Sequence, residues 1–213
     1  QFLLEKSRET KVVEIDPEMV AYLHKHLPPE AGVRVVQENF LKTDLSSLAH
    51  KPLTAVSNLP YIDAADILDK VLAFPLFRSA VFMFQKEQAQ RIRARVGEEF
   101  YGPLSVFSQL RAHISPICKV GRGCFNPPPK VESMVLAFER RAEWSVPAQE
   151  WARFKKIVNA AFLHRRKTLF NSWILCGYEK EKITRAMEAC KLLPSVRAEQ
   201  VEPAVYAKLF SLL

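Results

Sequence analysis

Four stretches of this chain combine residue types that hold or orient a ligand, and three of them fall where strands should end. Asn58-Leu59-Pro60-Tyr61 follows the apolar run Leu53-Thr54-Ala55-Val56 and precedes a helix-like pattern over residues 64–74. An amide followed by a proline-stiffened aromatic suits a site that grips a flat, hydrogen-bonding ring. The carboxyl end of a buried strand is also where open α/β sheets bind ligands. Read alone, the same residues make an ordinary strand-ending turn, since Asn and Pro favour turns for conformational reasons. Glu14 closes an earlier strand just before a helix, where a nucleotide-binding sheet offers a carboxylate to ribose hydroxyls; a solvated strand-end acid is the alternative. Gln37-Glu38-Asn39-Phe40 ends the next strand, with side chains able to hydrogen-bond an adenine edge or simply to form a turn. The fourth stretch, Phe125-Asn126-Pro127-Pro128-Pro129-Lys130, follows Gly123, and its prolines hold a phenylalanine on a stiffened, extended backbone. Three consecutive strand ends of this kind describe a crevice with a nucleoside-sized occupant. Tyr61 and Phe125 would then hold a second flat ring by stacking, worth roughly 1–3 kcal/mol per base.

The elements that must position these residues alternate. Residues 11–15 form a β-branched strand ending at Asp16-Pro17, and residues 18–27 carry Met19, Val20, Leu23 and Leu27 near a helical stripe. Pro28-Pro29 stops that helix, residues 33–36 form the next strand, and a weak helical turn over 44–48 leads to the strand before Asn58. A helix over 64–74, a buried strand over 79–84 and a charged helix over 86–96 follow. Pro103 opens another helix, with Leu104, Phe107, Leu110 and His113 on one face. Strands over 117–120 and 133–138 flank the proline loop. This spacing predicts a mainly parallel sheet covered on both faces, closed by an antiparallel edge because the last two strands are joined by a loop. Residues 140–149 read as a linker. Beyond them the pattern is all-helical: Trp151, Phe154, Val158, Ala161 and Phe162 share a stripe, and helices are predicted over 179–192 and 203–213. The expected organisation is therefore an α/β domain over 1–143 and a small basic helical domain over 144–213.

Composition narrows the class. With 213 residues, 48% hydrophobic and 25% charged, the chain is ordinary globular material, and no apolar run approaches the roughly 18 residues of a membrane helix. Cys118, Cys124, Cys176 and Cys190 show no CxxC spacing, which points to neither a zinc site nor a disulfide framework, so no metal is expected. A reducing cytoplasm fits that usage. The net charge of +8 is unevenly placed: from residue 151 onward there are 12 Lys and Arg against 5 Asp and Glu. Clustered positive charge is the footprint of a nucleic-acid partner, although a solvated helical surface would show it too.

Taken in order, Asn58-Leu59-Pro60-Tyr61, Gln85-Lys86-Glu87, Tyr101-Gly102-Pro103-Leu104-Ser105-Val106, Phe125 through Ser133, and Arg165-Arg166-Lys167-Thr168 resemble the ribosomal RNA adenine dimethyltransferase family, the KsgA type and its eukaryotic and mitochondrial relatives. The similarity covers essentially the whole chain, and the two longest motifs are its most specific part. It implies a Rossmann-like S-adenosylmethionine-dependent methyltransferase domain followed by a helical domain. It also implies dimethylation of two neighbouring adenosines near the 3′ end of small-subunit rRNA, within an immature subunit, by a cytoplasmic monomer with no membrane partner. Carried over by position, Glu14 with Ile15, and Glu38 with Asn39, would bind the cofactor. Asn58 would stand between the cofactor and the target amine, and Lys130, Arg165, Arg166 and Lys167 would meet RNA.

An adenine amine is a poor nucleophile because its lone pair is delocalised into the ring. The Asn58 side chain and the Leu59 carbonyl would accept its two hydrogens and draw the nitrogen toward tetrahedral geometry. Pro60 would fix that carbonyl, while Tyr61 and Phe125 clamp the extruded base. Three features depart from the family pattern. The Gly-rich loop that should follow a first strand does not occur, and the opening residues resemble the helix after that loop, so the first strand is expected upstream. Asn39 stands where an Asp is usual. Ile62-Asp63 replaces a more polar pair after the tyrosine. Two other readings share the fold: a non-catalytic RNA-binding or ribosome-assembly factor, and a large-subunit rRNA adenine methyltransferase.

Overall fold

The computed structural model describes residues 2–27, 32–143 and 145–213, and the side chain of Phe2 is not among the described ones. The predicted Pro28-Pro29 stop therefore lies outside the described residues. The chain divides into two compact units, Gln1–Pro52 and Leu53–Leu213.

In the first unit, α1 (Phe2–Lys6) precedes β1 (Thr10–Glu14), which pairs in parallel with β2 (Val33–Gln37), Glu14 lying opposite Gln37. Between them runs α2 (Pro17–His26). Asp16 caps it by accepting from the Glu18 N–H at 2.9 Å, and Pro17 occupies the first turn, where its missing N–H costs nothing. Val20 is buried and Leu23 and Leu27 are half-buried, but Met19 is exposed. One residue of the predicted stripe thus lies off the buried face, a rotation of about 100° per residue being enough to put it there. The short α3 (Leu45–Leu48) is capped by Asp44 and buries both its leucines.

In the second unit, β3 (Leu53–Asn58) and β4 (Phe77–Gln85) pair in parallel across α4 (Ala64–Ala73). α5 (Lys86–Arg93) and α6 (Pro103–Arg111) lead to β5 (Ala112–Val120), and β6 (Ser133–Arg140) follows the proline loop. The sheet order is β3-β4-β6-β5, with β6 antiparallel to both neighbours. The antiparallel closing pair is present, and β3, β4 and β5 run the same way, so the sheet is mainly parallel as predicted; the one reversed strand, β6, lies not at the edge but between β4 and β5. The short 121–132 connection permits this, whereas a parallel return would need a longer crossover. α6 starts at Pro103 as its sequence predicts, yet stops at Arg111. His113 accordingly lies exposed in β5 opposite Glu139, not on the helix face.

The helical segment comprises α7 (Trp151–Leu163), α8 (Leu169–Leu175), α9 (Lys180–Ala189) and α10 (Pro203–Leu212). α8, unanticipated because seven residues hold too little periodicity, is capped by Thr168, whose hydroxyl accepts from the Asn171 N–H at 3.3 Å. These helices share one apolar core with α6: Val106 and Leu110 pack in the same cluster as Phe154, Val158, Trp173, Ile183 and Tyr206. Trp151 and Phe154 stack at 5.1 Å, and Phe107 meets both rings edge-on. Buried polar tips find carbonyls, Trp173 Nε1 donating to Ile157 at 2.9 Å, Tyr101 to Val201 at 2.7 Å and Tyr206 to Ala198 at 2.9 Å. Asp69 of α4 accepts from Trp151 Nε1 at 3.0 Å and from Lys155 Nζ at 2.6 Å. Beside it the Arg111 guanidinium lies 3.8 Å from the Trp151 ring centroid, and burial pulls its pKa down to about 10 against the opposing pull of Asp69. The residues expected as a linker belong to this packing: Arg140 ends β6, the Arg141 N–H donates to the Arg111 carbonyl, and Val146 is buried.

Candidate active site

β3 delivers the Asn58–Tyr61 turn by simple alternation. Asn58 is exposed, Leu59 is buried, Pro60 is exposed and Tyr61 is half-buried. The Leu59 N–H reaches the Met83 carbonyl of β4 at 3.4 Å, so the turn is tied to the sheet one residue past the strand. The Tyr61 hydroxyl lies 3.4 Å from Ser133 Oγ, and Ser133 is the first residue of β6. Asn58 thus sits at the carboxyl end of a parallel strand, as ligand-binding residues of α/β sheets do.

The proline loop is pinned next to it. A single 3-10 turn (Arg122–Cys124) precedes Phe125, whose backbone is extended at φ −122° and ψ 149°. The following Asn126–Pro127 peptide is cis. At its far end the Glu132 carbonyl accepts from the Lys86 N–H at 2.9 Å, and the Glu132 carboxylate pairs with Lys86 Nζ at 2.7 Å. That lysine holds the Glu132 carboxyl below the usual carboxylate range. Phe125 is half-buried and Lys130 is exposed. The structure therefore joins Asn58, Tyr61, Lys86 and the end of the Phe125 loop at one end of the four-stranded sheet. Ser133 and Lys86 are the parts of this arrangement that residue types alone did not single out as functional. Only strand pairing, with Gln85 opposite Ser133, puts them beside Tyr61.

Four other predicted residues lie in the first unit. Glu14 ends β1, and one carboxylate oxygen accepts from the Ile15 and Asp16 N–H groups at 2.8 and 2.9 Å. Its second oxygen has no intrachain partner among the described residues and can take a ligand hydroxyl. The Glu38 N–H donates to the Glu14 carbonyl at 3.0 Å, so the two strand ends are adjacent. Ile15 and Glu38 are exposed, and Asn39 is half-buried. The Asn39 side-chain oxygen accepts from the Leu41 N–H at 2.8 Å, and its carbonyl accepts from Thr43 Oγ1 at 3.0 Å.

Arg165, Arg166 and Lys167 form a third group, all exposed in the turn between α7 and α8. A cavity of about 240 Å³ beside this turn is lined by Arg165, Lys167, Tyr101 and also Glu98, Glu99 and Glu199. The carboxylates come from segments distant in sequence, and no pattern around residue 165 indicates them. No group of His, Cys, Asp or Glu suited to a metal occurs among the described residues, nor any helix long and apolar enough to cross a membrane.

Ribosomal RNA small subunit methyltransferase A of Streptococcus pneumoniae (strain CGSP14) is 36% identical over 222 residues, covering 98% of this chain and 76% of that protein. The crystal structure of a dimethyladenosine transferase from Plasmodium falciparum superposes with a TM-score of 0.77 at 22% identity, covering 98% of this chain and 82% of that one. The 23S rRNA methyltransferase ErmE superposes with a TM-score of 0.71 at 25% identity, covering 99% and 84%. The family described as ribosomal RNA adenine dimethylase matches residues 1–213 throughout, and with an Asn-Leu-Pro-Tyr turn at the end of a Rossmann-like strand this chain belongs to that family of methyltransferases.

Proposed function

We propose that this chain transfers methyl groups from S-adenosylmethionine to the exocyclic amines of two adjacent adenosines near the 3′ end of small-subunit rRNA. Its substrate is the immature small subunit, and it works as a cytoplasmic monomer. The observation that carries the reading is the Asn58–Tyr61 turn, with an exposed amide next to a ring whose hydroxyl lies 3.4 Å from Ser133, where β6 leaves the Phe125 loop. The small-subunit assignment is supported by the 36% identity to a small-subunit enzyme over 98% of this chain.

The residues at the two strand ends of the first unit suit the cofactor. Glu14 offers a carboxylate oxygen to ribose hydroxyls, with Ile15 as an exposed apolar neighbour, and Glu38 and Asn39 offer polar groups to an adenine edge. Bound S-adenosylmethionine supplies an electrophilic methyl group. The chain supplies orientation: the Asn58 side chain and the Leu59 carbonyl accept the two amine hydrogens, so the lone pair leaves ring conjugation. Pro60 stiffens that carbonyl, and Tyr61 and Phe125 hold the base from its faces. No strong base is required, and positioning contributes several kcal/mol of the barrier, out of the roughly 7–11 kcal/mol that full alignment can supply. Lys130, Arg165, Arg166 and Lys167 neutralise phosphates, and the basic helical domain, residues 144–213, is the principal RNA contact.

Incubating full-length protein with labelled cofactor and immature small subunits is expected to yield dimethyladenosine, and absence of label transfer refutes the reading. A second reading, a non-catalytic assembly factor, is favoured by Asn39, whose side-chain oxygen is engaged by Leu41 where an Asp would keep a second oxygen for the ligand. Calorimetric titration with S-adenosylmethionine separates them, since an assembly factor of that kind shows no binding.

A further inference from the structure

The most exposed large apolar side chain among the described residues is Ile62, at 94%, well beyond Leu193 at 71%. It is the residue directly after Tyr61, at the tip of the turn between β3 and α4. Its place is rigidly set: Leu59 is buried three residues before it, Ala64 is buried two after it, and the Tyr61 hydroxyl meets Ser133. A β-branched side chain also has few rotamers to lose. A lone exposed apolar residue usually needs no explanation, but here the exposure adjoins the acceptor motif.

We infer that Ile62 is a wedge that enters the rRNA base stack at the gap left by the extruded adenosine. The inference rests on the function proposed above. A base whose amine reaches Asn58 must leave its stack, and its former neighbours then expose apolar faces to water. Proteins that unstack nucleic acid fill such gaps with Phe, Leu, Ile, Met or Pro. A short aliphatic side chain offers the gap dispersion contact without competing for the hydrogen bonds that hold the extruded base. The occupant is RNA rather than an apolar protein partner because Asn58 is exposed on the same turn and Lys130 is exposed on the loop that leads to Ser133, the partner of Tyr61, while the acid beside Ile62, Asp63, is half-buried. Ile62 is thereby a positioning residue, acting on the base stack and not on the reacting amine.

The test uses full-length protein and immature small subunits assembled on rRNA carrying 2-aminopurine next to the target adenosines. A second substrate carries an abasic site at that neighbouring position, so the target is already unstacked. Ile62→Ala is expected to leave the melting temperature and S-adenosylmethionine affinity unchanged. On the stacked substrate it should weaken the 2-aminopurine signal and slow single-turnover transfer roughly tenfold, a small part of the cost of unstacking. On the abasic substrate it should match the wild type, and Ile62→Leu should restore the rate on the stacked one. Wild-type transfer with Ile62→Ala equally fast on both substrates overturns the wedge alone, as does an equal slowing on both. No transfer by the wild type on either substrate overturns the function and the wedge together.

Discussion

Residues 1–52 and residues 53–213 hold their ligand-facing side chains by different means. In the first unit the side-chain restraints are local, the two strand ends being joined through the backbone by the Glu38 N–H and the Glu14 carbonyl. Glu14 is held by the N–H groups of the next two residues, and Asn39 by those of residues two to four further on. Burial there is sparse, with Val20, Thr43, Leu45 and Leu48 the buried side chains among the described residues. In the second unit the acceptor turn depends on distant partners: Leu59 on Met83, Tyr61 on Ser133, Lys86 on Glu132. The sheet behind it buries Phe82, Phe84 and Phe138 against one another, and the helical segment has its own cluster with Phe154, Trp173 and Tyr206. A local turn keeps its geometry when remote packing is damaged, whereas a turn fixed by sheet register does not. The Asn58–Tyr61 turn is therefore the part exposed to mutations far from it.

The greatest loss should come in the packed unit. Trp173→Ala removes a buried indole and its bond to Ile157 and should cost about 3–5 kcal/mol in chemical denaturation. Leu48→Ala in the first unit should cost less, because its surroundings are less densely packed and can collapse. Equal losses would contradict the difference between the units. Next is chemistry without stability: Asn58→Ala should slow methyl transfer about a hundredfold or more, the effect of deleting one well-aimed hydrogen-bonding group. RNA affinity and melting temperature should stay as they are, because Asn58 is exposed; a drop in melting temperature would mean the turn is structural.

A pH titration probes the packed unit from another side. Burial raises the Tyr101 and Tyr206 hydroxyls above the ordinary value of 10.0, each donating to a carbonyl. A raised folded pKa gives stability that is complete below pH 10 and lost above it, because the unfolded tyrosines release protons first, at about 1.4 kcal/mol per pH unit per group. Arg111, lowered to about 10 by burial, acts in the opposite sense, since unfolded arginine keeps its proton to higher pH. With Tyr178 also raised by burial, three tyrosines stand against one arginine, and stability should fall between pH 10 and 11. The Tyr101→Phe, Tyr206→Phe double variant should flatten that slope, and an unchanged slope would exclude these hydroxyls as its source. The smallest change concerns the basic turn. Neutralising Arg165 and Arg166 should lower the salt dependence of RNA binding by about 0.7 for each phosphate that they neutralise on single-stranded RNA. An unaltered salt dependence would mean that the nearby Glu98, Glu99 and Glu199 already offset the turn.

Much of the fold was legible from residue pattern. Strand-helix alternation, the start of α6 at Pro103 and the stripe through Trp151, Phe154 and Val158 all appear where short-range chemistry puts them. The candidate site was legible as residue types: Glu14, Asn39 and Asn58 were identifiable because strand ends and turn residues announce themselves within a few positions. What could not be read was whatever two remote segments decide jointly. The end of α6 is one case, since His113 continues the helical spacing but gains more from pairing in β5. α8 is another, too short for periodicity and held by burial of Leu169 and Trp173.

Local sequence was enough for the family, the acceptor motif and the uneven charge, because each is written in neighbouring residues or simple counts. Tertiary packing was needed to decide that β6 returns between β4 and β5, that Tyr61 meets Ser133, that the basic turn faces carboxylates and that Ile62 stands bare beside Asn58. Burial and strand pairing are set by the sum of contacts among segments tens of residues apart, and a local pattern carries no record of which partner arrives.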